Sequence, residues 1–153
     1  MTDATTPLHY RRAQLADLEA VSVLFDLYRG FYRQSTDVAG ATHFIGDRLQ
    51  AQDSCIFVAE RDGALLGFTQ LYPSFSSVSM QRSWILNDLF VVEHARQQGI
   101  GYGLLSAARA FALADKAKGL ILATEINNTS AQALYESFGF KKDTTFFHYY
   151  YYF

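Results

Sequence analysis

Asp88-Leu89-Phe90-Val91-Val92, followed by Arg96-Gln97-Gln98-Gly99-Ile100-Gly101-Tyr102-Gly103, is the stretch that decides the fold. It reads as an apolar strand, a short glycine loop, and a helix beginning near Gly99. The first amides of a helix lack intrahelical partners and carry partial positive charge. Glycines at that point let a phosphate approach the backbone without meeting a Cβ. The loop is therefore a candidate pyrophosphate cradle.

Periodicity orders the elements around it. Residues 8–13 read as a first strand, and a helix from about Asp17 carries Leu18, Val21, Leu24, Phe25 and Tyr28 at helical spacing. Ser35-Thr36-Asp37 opens a second helix with Phe44, Ile45 and Leu49 as its apolar stripe. Strands over 55–60 and 65–71 join across Arg61-Asp62-Gly63-Ala64, and a loop over 72–77 leads to a strand over 84–92. The helix after the glycine loop buries Leu104, Leu105, Ala108, Phe111 and Ala112, with Gly119 as its terminator. A fully apolar strand over 120–124 follows, of the kind covered on both faces. Asn128-Thr129-Ser130 caps a helix over 131–138 that ends at Gly139, and 146–153 is a strand-like aromatic run. The order βααβββαβαβ predicts one α/β domain across 1–153, a mixed central sheet with helices on both faces.

Composition narrows the function. Half of the 153 residues are apolar and the formal net charge is −2, which leaves no electrostatic footprint for nucleic acid or an anionic membrane. Cys55 is the only cysteine, which removes intrachain disulfides and Cys-based metal sites; its apolar strand makes it a core filler. His9, His43, His94 and His148 lack ligand spacing, so no metal is expected. The first seven residues lack an apolar signal core and no segment has the apolar length to span a bilayer, which leads to a cytoplasmic expectation. A dinucleotide unit is the rival reading of the loop, with Glu125 near the distance of a ribose-binding acid. The third glycine of G-x-G-x-x-G is missing, since Leu104 stands there, and an antiparallel meander precedes the loop. No Gly-Lys-Ser/Thr makes it a P-loop.

Arg96-x-x-Gly99-x-Gly101 after Asn87-Asp88-Leu89-Phe90-Val91 resembles the acetyl-CoA loop of the Gcn5-related N-acetyltransferases (GNAT). Asn128-Thr129-Ser130-Ala131-Gln132-Ala133-Leu134-Tyr135-Glu136-Ser137-Phe138-Gly139-Phe140 is similar to that family's N-x-x-A-x-x-L-Y-x-x-x-G-F segment. The element order matches over nearly the whole chain. The wording Leu-x-Asp-Leu-Phe-Val is most similar to the branch with spermidine/spermine and thialysine acetyltransferases. That branch typically has Glu-Asp where this chain has Asn87-Asp88, so the resemblance carries the reaction and not the substrate.

The resemblance implies a soluble enzyme moving an acetyl group from acetyl-CoA directly to a primary amine, the expected acceptors being small molecules and the next class a peptide or protein amine. It implies that backbone groups of Leu89, Phe90 and Val91 pair with the pantetheine arm. Amides from Gln98 through Tyr102, with Gln97, Ile100 and Gly101 in the same loop, would hold the pyrophosphate, Arg96 would add charge, and Asn128 would lie near the arm. Tyr135 is the implied acid, because a phenol with a pKa near 10 suits a departing alkyl thiolate. Asp88 is a candidate base, with a structural role as the other reading, and Glu93 and Glu125 are lesser candidates. In a regular strand Asn87 and Asp88 point to opposite faces, so only one lines a cleft unless a bulge re-aims them. Asn87 would orient a substrate amine or water. Tyr28 and Tyr32, four residues apart on one helix face, offer aromatic walls to a cation, with Tyr72 and Phe75 completing the pocket. Arg29 and Arg33 would disfavour a polycation. The aromatic tail suggests a homodimer. A non-catalytic acyl-CoA-binding sensor or interaction module on the same scaffold is the alternative from another class.

Overall fold

Asp62 and Gly63 both take positive φ, 52° and 75°, and turn β2 (Cys55–Arg61) back onto β3 (Ala64–Ser76) as a two-residue hairpin. A second hairpin joins β3 to β4 (Gln81–Val91), and β1 (His9–Arg12) pairs antiparallel with β2. β5 (Leu120–Ile121) adds in parallel to β4, giving the sheet order β1-β2-β3-β4-β5. The computed structural model describes residues 6–153, which divide into two compact units after Ala123.

In the first unit, α1 (Leu18–Phe31) and α2 (Val38–Ala51) lie against each other, and α1 packs on β3 and β4. α3 (Ile100–Ala114) packs across β1 to β4. The two helical layers take opposite sheet faces: Phe68 of β3 meets Tyr28 of α1 at 5.9 Å, whereas Phe57 and Trp84 meet Phe111 of α3 at 5.6 and 4.9 Å. Asp37 caps α2 by accepting from the Gly40 amide at 2.9 Å. The core is mainly apolar, with Val21, Ile45, Val58, Phe68, Leu71, Leu104 and Leu105 fully buried. Cys55 is buried within it, and burial pushes its thiol pKa up, as a core filler requires.

In the second unit, α4 (Thr129–Phe138) is capped by Asn128, whose side chain accepts from the Ala131 amide at 3.2 Å. It ends at Gly139 (φ 116°) with Gly139 N–H on the Glu136 carbonyl and Phe140 N–H on the Tyr135 carbonyl, a Schellman closure. That turn brings Phe140 edge-on to Tyr135 at 5.8 Å. No helix among the described residues is long and apolar enough to cross a membrane.

Several expected boundaries move. The loop at 72–77 is strand through Ser76, because Tyr72 to Ser76 all find partners on β4, and the turn falls at 77–80. α3 stops at Ala114 instead of running to Gly119: Asp115 is held by the Trp84 indole at 2.8 Å and Lys116 takes the left-handed position (φ 56°). The strand at 120–124 keeps two residues, with Ile121 54% exposed, so it is not covered on both faces. The tail 146–153 forms no strand.

Candidate active site

The site begins with a register fault. Gln70 pairs with Asp88 and Leu71 with Leu86, so Asn87 is one extra residue on β4, a bulge. In an unbroken strand Trp84 and Asp88 would share a face. Here Trp84 meets Phe111 on the α3 side, while Asp88 bonds Gln70 and reaches Tyr28 on the α1 side. The bulge therefore places Asn87 and Asp88 together at one cleft of about 270 Å³, lined by Phe25, Tyr28, Arg29, Tyr32, Gln34, Phe44, Tyr72, Asn87 and Asp88.

Asp88 forms the polar end of that cleft and is only 3% exposed. Its Oδ2 accepts from the Gln70 carboxamide at 2.8 Å and its Oδ1 from the Asn87 carboxamide at 3.0 Å. The Tyr28 hydroxyl reaches both this carboxylate and the Asn87 carbonyl, the latter at 3.3 Å. Burial drives the Asp88 pKa above the usual carboxylate value against the pull of those three donors. A carboxylate of raised pKa is a better proton acceptor than a solvated one. Burial, then the Asp88 charge, pushes Tyr28 up strongly and Tyr72 up to about 12, so both hydroxyls stay neutral donors. Tyr32 lies edge-on to Tyr28 at 5.1 Å and extends the aromatic wall of the cleft. Arg29 turns to Asp26 at 3.6 Å and to the Ser35 carbonyl at 3.3 Å.

A second feature lies at the other end of β4. β5 pairs only with Trp84 and Ile85, and among the described residues no strand covers that edge beyond them. Val92 N–H donates to the Leu66 carbonyl at 2.9 Å, so alternation turns the backbone groups of Leu89 and Val91 outward and those of Phe90 toward β3. The Arg96 guanidinium bonds the Val91 carbonyl at 2.9 Å and lies over the Phe90 ring at 5.7 Å. The loop then takes positive φ at Gln97 (60°) and Gly99 (78°), and Gln98 accepts from Arg61 at 3.0 Å. The first helical bond of α3 runs from Gly103 N–H to the Gly99 carbonyl, which leaves the Ile100 and Gly101 amides in the turn that has no intrahelical acceptor. The Ile100 side chain itself is core. Space is open where a Cβ on Gly99 would stand, whereas at Gly103 it would run into the Tyr10 ring. An open strand edge leading to a glycine-lined helix start fits an extended chain with an anionic end.

Five sequence-predicted residues therefore meet in one cleft: Tyr28, Tyr32, Tyr72, Asn87 and Asp88. Phe75 does not join them; it is 71% exposed and lies beneath the Arg82 guanidinium at 5.0 Å, past the reach of the cleft wall. Glu93 is exposed in the turn after β4. Tyr135 and Asn128 belong to the second unit, where Tyr135 is half-buried against Phe140. Gln70 was not legible as a site residue, although a lone carboxamide inside the run Leu65 to Leu71 is a signal of its own.

The family model described as acetyltransferase (GNAT) family matches residues 21–140. The chain belongs to that family. It is 51% identical over 141 residues to the uncharacterized N-acetyltransferase YhfO of Bacillus subtilis, covering 92% of this chain and 95% of that one. The crystal structure of a probable acetyltransferase superposes with a TM-score of 0.90 at 39% identity, covering 95% and 97% of the two chains. At 19% identity the same fold, TM-score 0.82 over 98% of each chain, occurs in an aminoglycoside N-acetyltransferase in complex with CoA. This GNAT member is an acetyltransferase by fold and family, and its mixed sheet is the family's sheet.

Proposed function

We propose that this acetyltransferase uses acetyl-CoA to acetylate the primary amine of a small molecule by direct transfer, with its two units forming one N-acetyltransferase domain. The observation that carries this is the aromatic cleft ending on Asp88. An alkylammonium is drawn to the Tyr28 and Tyr32 faces and to the buried carboxylate, and a cleft of about 270 Å³ suits a compact acceptor. Acetyl-CoA supplies an activated acyl thioester. Its pantetheine arm would lie along the edge formed by Leu89 and Val91, with Phe90 beneath it. Its pyrophosphate would rest on the loop from Arg96 to Tyr102, and Asn128 would border the arm.

The chain's own groups then move the protons of the reaction. Asp88 takes one from the arriving ammonium, which must be neutral to attack, and Asn87 orients the amine. Tyr135, assigned by its place in the second motif, gives its proton to the departing sulfur. The C–N bond forms as the C–S bond breaks, and one of the two protons left on the nitrogen then passes through solvent to the Tyr135 phenolate, which gives the neutral amide and restores the phenol. No acyl-enzyme is needed, in keeping with a core position for Cys55.

A panel of amines incubated with acetyl-CoA, read by free thiol, tests the reading; it holds polyamines, lysine analogues, aminoglycosides and short peptides. Thiol release that depends on one small amine and collapses in Tyr135→Phe is expected. Release with peptides alone would overturn the small-molecule acceptor, and acetyl-CoA binding without any release would favour a sensor or an acceptor outside the panel. We also propose a homodimer, because the aromatic tail presents Phe147, Tyr149, Tyr151 and Tyr152 at 84–90% exposure.

A further inference from the structure

Gln70 has no exposed surface, yet its carboxamide sits in the middle of β3 between the fully buried Thr69 and Leu71. Burying a carboxamide there is unfavourable unless every polar atom finds a partner. Its partners are two. Nε2 donates to Asp88 Oδ2 at 2.8 Å, and Oε1 accepts from the Ser54 hydroxyl at 2.9 Å. Ser54 is itself 8% exposed, immediately before β2. The chain Ser54–Gln70–Asp88 thus runs from the residue before β2 across β3 to β4 and ends on the proposed base.

A carboxamide is nearly symmetric in shape and opposite in hydrogen-bonding sense at its two ends, and a serine hydroxyl both donates and accepts. When Asp88 is ionised, the amide donates to it and accepts from Ser54. When Asp88 carries a proton, a flipped amide accepts from Asp88 O–H and donates to Ser54 Oγ. Both states are satisfied with the heavy atoms in place. We propose that Gln70, backed by Ser54, is a positioning residue that holds Asp88 in either protonation state as the proton passes from the ammonium nitrogen to the carboxylate and on to water. The inference rests on Asp88 being the base. Among the described residues the other titratable groups around that carboxyl are Tyr28, Tyr32 and Arg29 of α1 and Tyr72 of β3, with Arg48 of α2 and Asp53 acting on Tyr72.

The test is the pH profile of kcat/KM for the amine in Gln70→Met, Ser54→Ala, Ser54→Thr and Asp88→Asn. Gln70→Met removes a bond from both forms of Asp88, and the one to the ionised form is the stronger because it is charge-assisted, so the acidic limb is expected about one pH unit higher than wild type. Ser54→Ala shifts the limb less, and Ser54→Thr, which keeps the hydroxyl, returns it to the wild-type position. If Gln70→Met does not fold, the comparison of Ser54→Ala with Ser54→Thr decides. An acidic limb unmoved in Gln70→Met and Ser54→Ala, but lost in Asp88→Asn, overturns the role of Gln70 alone. A wild-type profile in Asp88→Asn overturns Asp88 as base and this inference with it.

Discussion

Asp88 and the glycines show how much one residue's surroundings decide. The Asp88 carboxyl titrates above its ordinary value in the folded protein, so the native state holds a proton that the unfolded chain has already lost. Wild-type stability must therefore fall as pH rises from about 4 through the raised value. Asp88→Asn does not titrate there, so its melting temperature relative to wild type is expected to climb over that interval and then level off. A relative melting temperature that declines with rising pH would contradict the buried, raised carboxyl. Gly99 and Gly103 look alike in the sequence, yet they serve different ends. Gly99→Ala places an L residue at φ 78° in open space, at a cost of about 1–2 kcal/mol that no second substitution relieves. Gly103→Ala drives a methyl into Tyr10, at about 1–3 kcal/mol, and Tyr10→Ala should remove that cost. Denaturant titrations of the single and double variants separate the two, and Gly99→Ala alone should also weaken acetyl-CoA binding.

At the scale of elements, β4 is the decisive one, and its bulge does two jobs. It turns Asp88 to the α1 face, and by bending the strand it accompanies the parting from β5 after Ile85. Deleting Asn87 would make the β3–β4 register regular while leaving Leu86 and Asp88 on the faces they now use. The deletion variant is therefore expected to fold, with a melting temperature within a few degrees of wild type, but to bind acetyl-CoA at least about tenfold more weakly as β4 straightens. That factor corresponds to about 1.4 kcal/mol. Calorimetric titration checks it, and unchanged affinity would detach the open edge from the bulge. The strand itself, the helix start at Gly99 and the caps at Asp37 and Asn128 were legible, because apolar period and capping chemistry are local. The bulge was only an open alternative, since a register fault depends on the partner strand. Gln70 escaped notice because a single amide does not alter an apolar run, and its meaning comes from Asp88, which is distant in sequence.

For the whole molecule, the same distinction between local and distant causes sets the expectation for assembly. Periodicity and two motifs carried the α/β sheet and the family, whereas the residues from 146 onward read as a strand and form none. Their aromatic composition favours extended pairing, but a strand exists only against an edge, and the edge is not encoded in the strand's own residues. Phe146, Phe147, Tyr149, Tyr150, Tyr151, Tyr152 and Phe153 are each at least 72% exposed, and so many exposed rings in one short segment mark an interaction surface. A second copy of the chain supplies the cover in the proposed homodimer, and burial of such rings is worth roughly 1.5–3 kcal/mol apiece. Light scattering across working concentrations should then give twice the 17.3 kDa chain mass, and the melting temperature should rise with protein concentration. Ending the chain after Thr145 should yield a monomer whose melting temperature no longer depends on concentration. A full-length protein that scatters as a monomer throughout would remove the dimer.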